Sequence, residues 1–542
     1  MALPHIALPS ALPSIVSPAR RSETILCWFL ILSTCVLLVA AYRAGRDAGL
    51  DSYIGPHTGG QFLAGVCVVA TKWLTRVGNY VCLSEVSNIM TGLGLTPSGP
   101  NWPGYLADRE FLDQSLRLLF ERPRWVVSAT TAGPPYNGIT GIGWGMDAGY
   151  ADFVNLAFRI FGHALKSLYR GYWLVYFTSY LLFAIAYRRM VTPLVLLAAA
   201  AAVQYFIFSS DTFWSASHEW AAGENAHVHG PTGPRFLSSL CILPALHYLC
   251  ATWRKDPLHW REAVLLGLQG MILFLALQQR STVYWVVVAA LLLAALHLIF
   301  PHWYADIVMK WRCSLILAEL LAVVILCNAG VAMTTHPGLR AGGFIAHHCL
   351  WSSIFYSMQF HPDWKTRYSP EFEHNAGDGV ADFAWRNYVA NHPREQGKVI
   401  TSAFVEEMTR KAFIKFAKHD PKFVLEVYFL VNPKNIYSPA RAFITGMANG
   451  VPTVFPIALI VFGVAVGIVS SLADMHLLML SLPRVAFLCL ISCLPSWATV
   501  ALSTSLTDFF VLLLICSVML VVALGAAGGF SLRYFLRGAS PN

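Results

Sequence analysis

The chain has 542 residues, of which 56% are hydrophobic types and only 12% are charged, and its mean hydropathy is +0.55; soluble domains carry roughly 25% charged residues. That balance excludes a soluble globular class and predicts an all-α, polytopic transmembrane bundle, since no alternating strands of a barrel are visible. The formal net charge of +9 forms no basic stripe interleaved with aromatics, so no nucleic-acid partner is expected.

Residues 1–23 read as a cytoplasmic N-terminus, followed by the apolar run "TILCWFLILSTCVLLVAAY" at 24–42. This run approaches the ~20 residues that cross a bilayer and exceeds a signal-peptide core, so a retained first span is expected. Further apolar runs at 172–187, 191–209, 236–252, 262–278, 281–300 and 313–333 predict a six-helix block over 172–333. Runs at 452–472, 483–503 and 508–529 predict a three-helix block before a cytoplasmic tail at 530–542. Arg20 and Arg21, Arg188 and Arg189, "WRKDPLHWR", "PHWYADIVMKWR" and "RYFLR" then all fall on the cytoplasmic side of an alternating chain with both ends inside, as the positive-inside bias requires. Two large, mainly helical segments, 43–171 and 334–451, are assigned to the other side.

The first of these opens with "YRAGRDAGLDSYIG", where Asp47 and Asp51 stand four residues apart. If the first span continues as a helix, both carboxylates share one face and could hold a divalent cation or an acceptor hydroxyl; ordinary interfacial polarity, with Arg46 as a partner, explains them equally well. Asp147 lies in "GWGMDAGYADF", where glycines allow a tight turn and Trp144 and Tyr150 offer flat surfaces. The plainer role of Asp147 is to cap the helix that follows, and that of Asp152 is to complement its first turn. Residues 151–170 form an amphipathic pattern, with Phe153, Leu156, Ala157, Ile160 and Leu168 on one side and Asp152, Asn155, Arg159, His163 and Lys166 on the other. Such a helix either lies in the interfacial plane or packs on neighbouring spans.

A loop at 210–235 brings His227 and His229 into an HxH pair. Within the span 313–333, Glu319 is an intramembrane carboxylate and a functional candidate for that reason, unless it fixes packing through a neighbour such as Gln269 or His297. The second large segment carries His347, His348 and Trp351, then His361 and Asp363 beside Trp364, then Asp378 in "NAGDGVADFAW". Glu406, Glu407, Arg410 and Lys411 read as a polar helical face. Nine of the twelve cysteines lie in or beside apolar runs, and no CxxC pair or HExxH motif points to redox or zinc chemistry. No cofactor is therefore assigned, with a divalent cation left open.

The layout of one leading span, a long outside segment with acidic residues, a polytopic bundle and a second outside segment resembles the membrane glycosyltransferases that use polyprenyl-phosphate carriers, the GT-C architecture. The likeness lies in topology, since this sequence has neither a DD, ED or DE doublet in its first outside segment nor a WWD signature. It implies an enzyme of a bacterial inner membrane that moves a sugar from a polyprenyl-phosphate carrier to a glycan or lipid hydroxyl at the extracytoplasmic face. Under it, Asp47, Asp51 or Asp147 is the catalytic carboxylate, and Arg159 or Lys166 meets the departing phosphate. Trp144, Tyr150, Asp152, His347, His348, Trp351, His361, Asp363 and Asp378 are candidate substrate contacts. A noncatalytic subunit of a membrane assembly, or a transporter, is the alternative expectation.

Overall fold

The computed structural model describes residues 18–51, 149–162, 166–209, 234–252, 257–279, 283–299, 307–334 and 402–434, with isolated positions at 164 and between 351 and 367. Of the described residues 92% are helical and none is in a strand. Four helices are long and apolar enough to cross a membrane. The expectations for Trp144, Asp147, His227, His229, His347, His348, Asp378 and the three runs between 452 and 529 lie outside the described residues.

Among the described residues, eight helices form the bundle: α1 (Pro18–Asp47), α2 (Gly149–Phe161), α3 (Lys166–Tyr187), α4 (Val191–Ser209), α5 (Ile242–Ala251), α6 (Trp260–Gln279), α7 (Tyr284–Ile299) and α8 (Ile307–Thr334). A single helical turn and a 3-10 turn, Ser238–Cys241, lead into α5. Along α1 the buried positions Cys27, Leu30, Thr34, Leu38, Ala41 and Gly45 recur every three or four residues, while Ile25, Trp28, Phe29, Leu32, Val36 and Val39 point outward. Both faces are apolar, as expected of a helix with protein on one side and lipid on the other. Against it lies α4, which is hydrophobic all round and enclosed over most of its length.

Hydroxyl groups on α3 tie these helices together. Tyr169 donates to the carbonyl of Tyr42 at 2.8 Å and Tyr180 to that of Ile31 at 2.6 Å, which fixes α3 antiparallel to α1. Tyr187 donates to the His247 carbonyl on α5 at 3.0 Å. Ser179 and Gln269 on α6 exchange two bonds, Oγ to Oε1 and Nε2 to the Ser179 carbonyl, both 2.8 Å.

At one end of the bundle Arg312 of α8 is fully buried; its Nε donates to the Ala251 carbonyl at 2.7 Å and its guanidinium forms a two-pronged ion pair with Glu262 of α6. The same end carries the junctions with Arg188 and Arg189 and the start of α1 with Arg20 and Arg21. Among the described residues, Arg20, Arg21, Arg188, Arg189 and Arg312 therefore fall at one end of the fold, although Arg312, read from sequence as a topological charge, is consumed by an internal pair. Beyond it α6 and α8 run parallel and close together: a side chain at Gly270 would collide with Val323 and with the Tyr248 hydroxyl.

A buried ion pair broken on one side strands the other charge, at a cost of about 3–5 kcal/mol. Arg312→Met is therefore expected to lower the unfolding free energy of the purified protein in detergent by that amount, seen as a lower denaturation midpoint. Arg312→Met combined with Glu262→Met should recover most of the loss, checked on the same thermal and denaturant scans.

Candidate functional site

At the opposite end, α1 stops after Asp47 instead of continuing. Gly49 adopts φ +75°, its N–H donates to the Arg46 carbonyl at 3.0 Å, and the Leu50 N–H donates to the Gly45 carbonyl at 2.9 Å. This pairing of bonds around a left-handed glycine is a Schellman stop. It turns the chain inward, burying Leu50 and Asp51. The two carboxylates expected on one helical face are thus separated. Asp47 remains exposed and pairs with its neighbour Arg46 at 3.1 Å, whereas Asp51 pairs with Lys166 at 3.3 Å, with only 10% of its side chain accessible.

Lys166 reaches this position because the helix expected over 151–170 is broken. Gly162 takes φ +84°, its N–H closes on the Phe158 carbonyl at 2.9 Å, and α3 starts afresh at Lys166. The break also changes which side chains α2 buries. Tyr150, Phe153, Val154, Ala157 and Phe158 face the bundle, while Leu156 and Ile160 point outward at 40% and 50% exposure. Of the two placements foreseen, α2 packs on neighbouring helices, α3 and α6, and still keeps an apolar outer face. Its first residue is clamped: Gln279 donates to the Gly149 carbonyl at 2.9 Å, and any side chain at Gly149 would overlap Gln278.

Tyr150, expected as a stacking surface, is fully buried, so its ring presents no open face, and burial pushes its hydroxyl well above the usual tyrosine range. Asp152 lies in the first turn of α2, and Arg159 is exposed and donates to the Asn155 side chain at 3.1 Å.

Beneath Asp51 and Lys166 sits an aromatic wall. The Tyr42 and Tyr169 rings are 5.5 Å apart, Trp173 stands edge-on to Tyr42 at 5.9 Å, and Phe208 packs on Trp173 at 4.9 Å. One turn deeper, Gln204 donates to the Tyr172 hydroxyl at 2.5 Å, which contacts Ser239 at 3.3 Å. Three further buried polar atoms there, Trp173 Nε1, Tyr176 Oη and Gln204 Oε1, make no geometric hydrogen bond among the described residues. These rings and polar groups are buried core, like Tyr150, so the part of this region that can meet an anionic head group is the charged pair at its rim, where Lys166 is half exposed. No group of three metal-ligating side chains is found among the described residues.

Glu319 is placed elsewhere, on the α8 face toward α6, with its carboxylate over Gly267, where a methyl would lie 3.2 Å from Oε1. Gln269 is not its partner, because both ends of that amide are committed to Ser179. The His297 side chain lies outside the described residues.

The second large segment supplies a separate cluster. Helices α9 (Ser402–His419) and α10 (Pro421–Glu426), the latter running into a π turn at Val427–Val431, pack Phe423 and Val427 against Phe355, Met358 and Trp364. Asp420 caps α10, accepting from the Phe423 N–H at 3.0 Å. His361 stacks on Phe423 with ring centroids 4.2 Å apart and approaches Glu426 at 3.5 Å; Asp363 pairs with Arg367 at 3.4 Å. The Trp351 N–H donates to Glu406 at 3.0 Å. Trp364 is buried as core. The polar face read at 406–411 is a local ion-pair set: Arg410 holds Glu407 at 2.8 Å through two nitrogens, with Lys411 at 3.4 Å, and Arg410 first among these draws the Glu407 carboxyl below its ordinary range.

Sequence reasoning named Asp51 and Lys166 but not their partnership, which needed the two glycine stops at 49 and 162. It missed the tyrosine series at 169, 172, 176, 180 and 187, whose steps of three, four and seven residues mark one helical stripe. Comparison with known protein families, with characterised proteins and with solved structures gives no match for this chain.

Burial lifts the Tyr428 hydroxyl from an ordinary value of 10 to about 12, against the opposing pull of its contact with Ser357. The folded state therefore holds this proton more tightly than the unfolded one, and the associated stability is complete below pH 10 and is lost as pH rises through 12. Near-ultraviolet circular dichroism across that window should show the α9–α10 cluster loosening. Tyr428→Phe should remove that part of the pH response while costing about 1 kcal/mol for its lost bond to the Ile354 carbonyl.

Proposed function

We propose that this protein transfers a sugar from a polyprenyl-phosphate carrier to a hydroxyl acceptor at the bundle end remote from its arginine clusters, with Asp51 as base and Lys166 as the phosphate-binding cation. The observation that carries the reading is the 3.3 Å Asp51–Lys166 pair. It joins an acid and a cation from two different helices, one nearly buried and the other half exposed. The convergence of basic junctions at the other end supports an extracytoplasmic location for this one, by the positive-inside bias.

The pair suits the chemistry. An arriving phosphate competes for the Lys166 ammonium and frees the Asp51 carboxylate, which takes the proton from the acceptor hydroxyl as its oxygen attacks the anomeric carbon. The bond from that carbon to the phosphate oxygen breaks on the opposite side, its electron pair leaves with the phosphate, and Lys166 stabilises the added charge. The configuration at the sugar carbon inverts. Tyr42 and Tyr169 flank the pair, and the outward apolar face of α2, Leu156 and Ile160, offers a surface along which a prenyl chain can lie while its phosphate reaches Lys166.

In vesicles supplied with a panel of polyprenyl-phosphate sugars and a glycan or lipid acceptor, Asp51→Asn should cut product formation by at least ~10²-fold, the usual scale of a lost general base. Lys166→Met should weaken donor use as well as turnover, and Asp47→Asn should stay near the parental rate because Asp47 is exposed and paired with Arg46. Helical content and elution volume check the folding of each variant. Full turnover by Asp51→Asn would end the catalytic reading and leave the pair as a clamp in a noncatalytic membrane subunit.

A further inference from the structure

The helical run from Pro421 to Lys434 buries Phe423 and Val427, yet it presents three large apolar side chains to the outside: Leu425 at 56%, Phe429 at 66% and Leu430 at 66% exposure. The π turn at Val427–Val431 contributes to this presentation, because one extra residue per turn swings the following side chains relative to the buried Phe423 and Val427 stripe. Exposed lysines lie on this run and on the helix before it. Lys422 is 87% exposed and only loosely approached by Glu426 at 3.8 Å, and Lys415, Lys418 and Lys434 are exposed with no ion pair among the described residues. Across 402–434 there are six lysines and arginines against four carboxylates, and Glu407 is already committed to Arg410 and Lys411.

We infer that this face is a bilayer-docking surface, in which Leu425, Phe429 and Leu430 enter the head-group boundary and Lys422 and Lys434 contact anionic lipid phosphates. Two features select a lipid surface over a protein partner. The same helical run carries exposed Lys422 and Lys434 at its two ends and Glu426 as its one carboxylate, a net positive apolar face of the kind that interfacial helices use. The segment also belongs to a chain held in the membrane by α8 on one side, and the next strongly apolar run in the sequence begins at residue 452, 18 residues after Lys434. Such tethering keeps the face within at most ~60 Å of a bilayer even if those residues are fully extended. The inference is independent of the sugar-transfer reading, since neither Asp51 nor Lys166 enters it.

The test is site-directed spin labelling of the full-length protein in vesicles containing phosphatidylglycerol, with the signal of the parent protein and its twelve native cysteines subtracted. Nitroxides at Phe429→Cys and Leu425→Cys should be relaxed more by oxygen than by a water-soluble nickel chelate, and Lys415→Cys more by the chelate. Replacing the anionic lipid with phosphatidylcholine should raise chelate access at 425 and 429. Chelate-dominated relaxation at both positions in anionic vesicles would overturn the inference. So would strong immobilisation with access to neither reagent, which would place protein over the face, either another part of this chain or a second copy.

Discussion

The bundle depends on the exchange between Ser179 and Gln269, in which one amide accepts from the serine hydroxyl and donates to the serine main-chain carbonyl within the apolar interior. Lipid tails are as apolar as leucine, so helices in a membrane gain little by merely hiding hydrophobic surface from one another; small residues and hydrogen bonds set their pairings. Helix α3 is the organiser in this sense. Its serine fixes α6, its Tyr169 and Tyr180 fix α1, its Tyr187 fixes α5, and its Tyr172 meets Gln204 of α4. The same helix carries Lys166 at its first position, so the framework and the candidate site share one element.

The two glycine stops convert that framework into a site. A helix that ran past residue 47 would project its next carboxylate outward, and one that ran through residue 162 would carry Lys166 on the axis of α2. With both broken, the end of α1 folds inward and α3 begins beside it. The acid and the cation then meet over a wall of tyrosine and tryptophan rings. The opposite end is tied in another way, by a guanidinium that joins α6, α8 and the last carbonyl of α5.

The legibility of this arrangement in the sequence follows its physics. Apolar runs are long-range averages, so the helical class and the four long apolar helices were readable. The stops at Gly49 and Gly162 depend on single left-handed residues, and glycine is too common in this chain for each to announce a turn. The Asp47 and Asp51 spacing suggested a shared face only on the assumption of unbroken helix. Amphipathicity at 151–170 was real and named Phe153, Ala157 and Leu168 of the buried side but not Tyr150, Val154 and Phe158, because α2 is apolar on two faces and only packing decides which one is enclosed. Glu262 and Arg312 were too far apart in sequence to be paired by inspection, and the hydroxyl stripe of α3 was concealed by its aromatic, membrane-compatible character.

The bonds from Tyr169 and Tyr180 end on main-chain carbonyls of Tyr42 and Ile31, not on their side chains. Recognition of α1 is thereby written into atoms that every amino acid possesses. Positions 31 and 42 can drift among residues of suitable bulk without losing these anchors, while the donors on α3 have no such latitude. Divergence in descendants of this protein should consequently fall unevenly, with the leading helix free to vary and the tyrosines that grip it held in place.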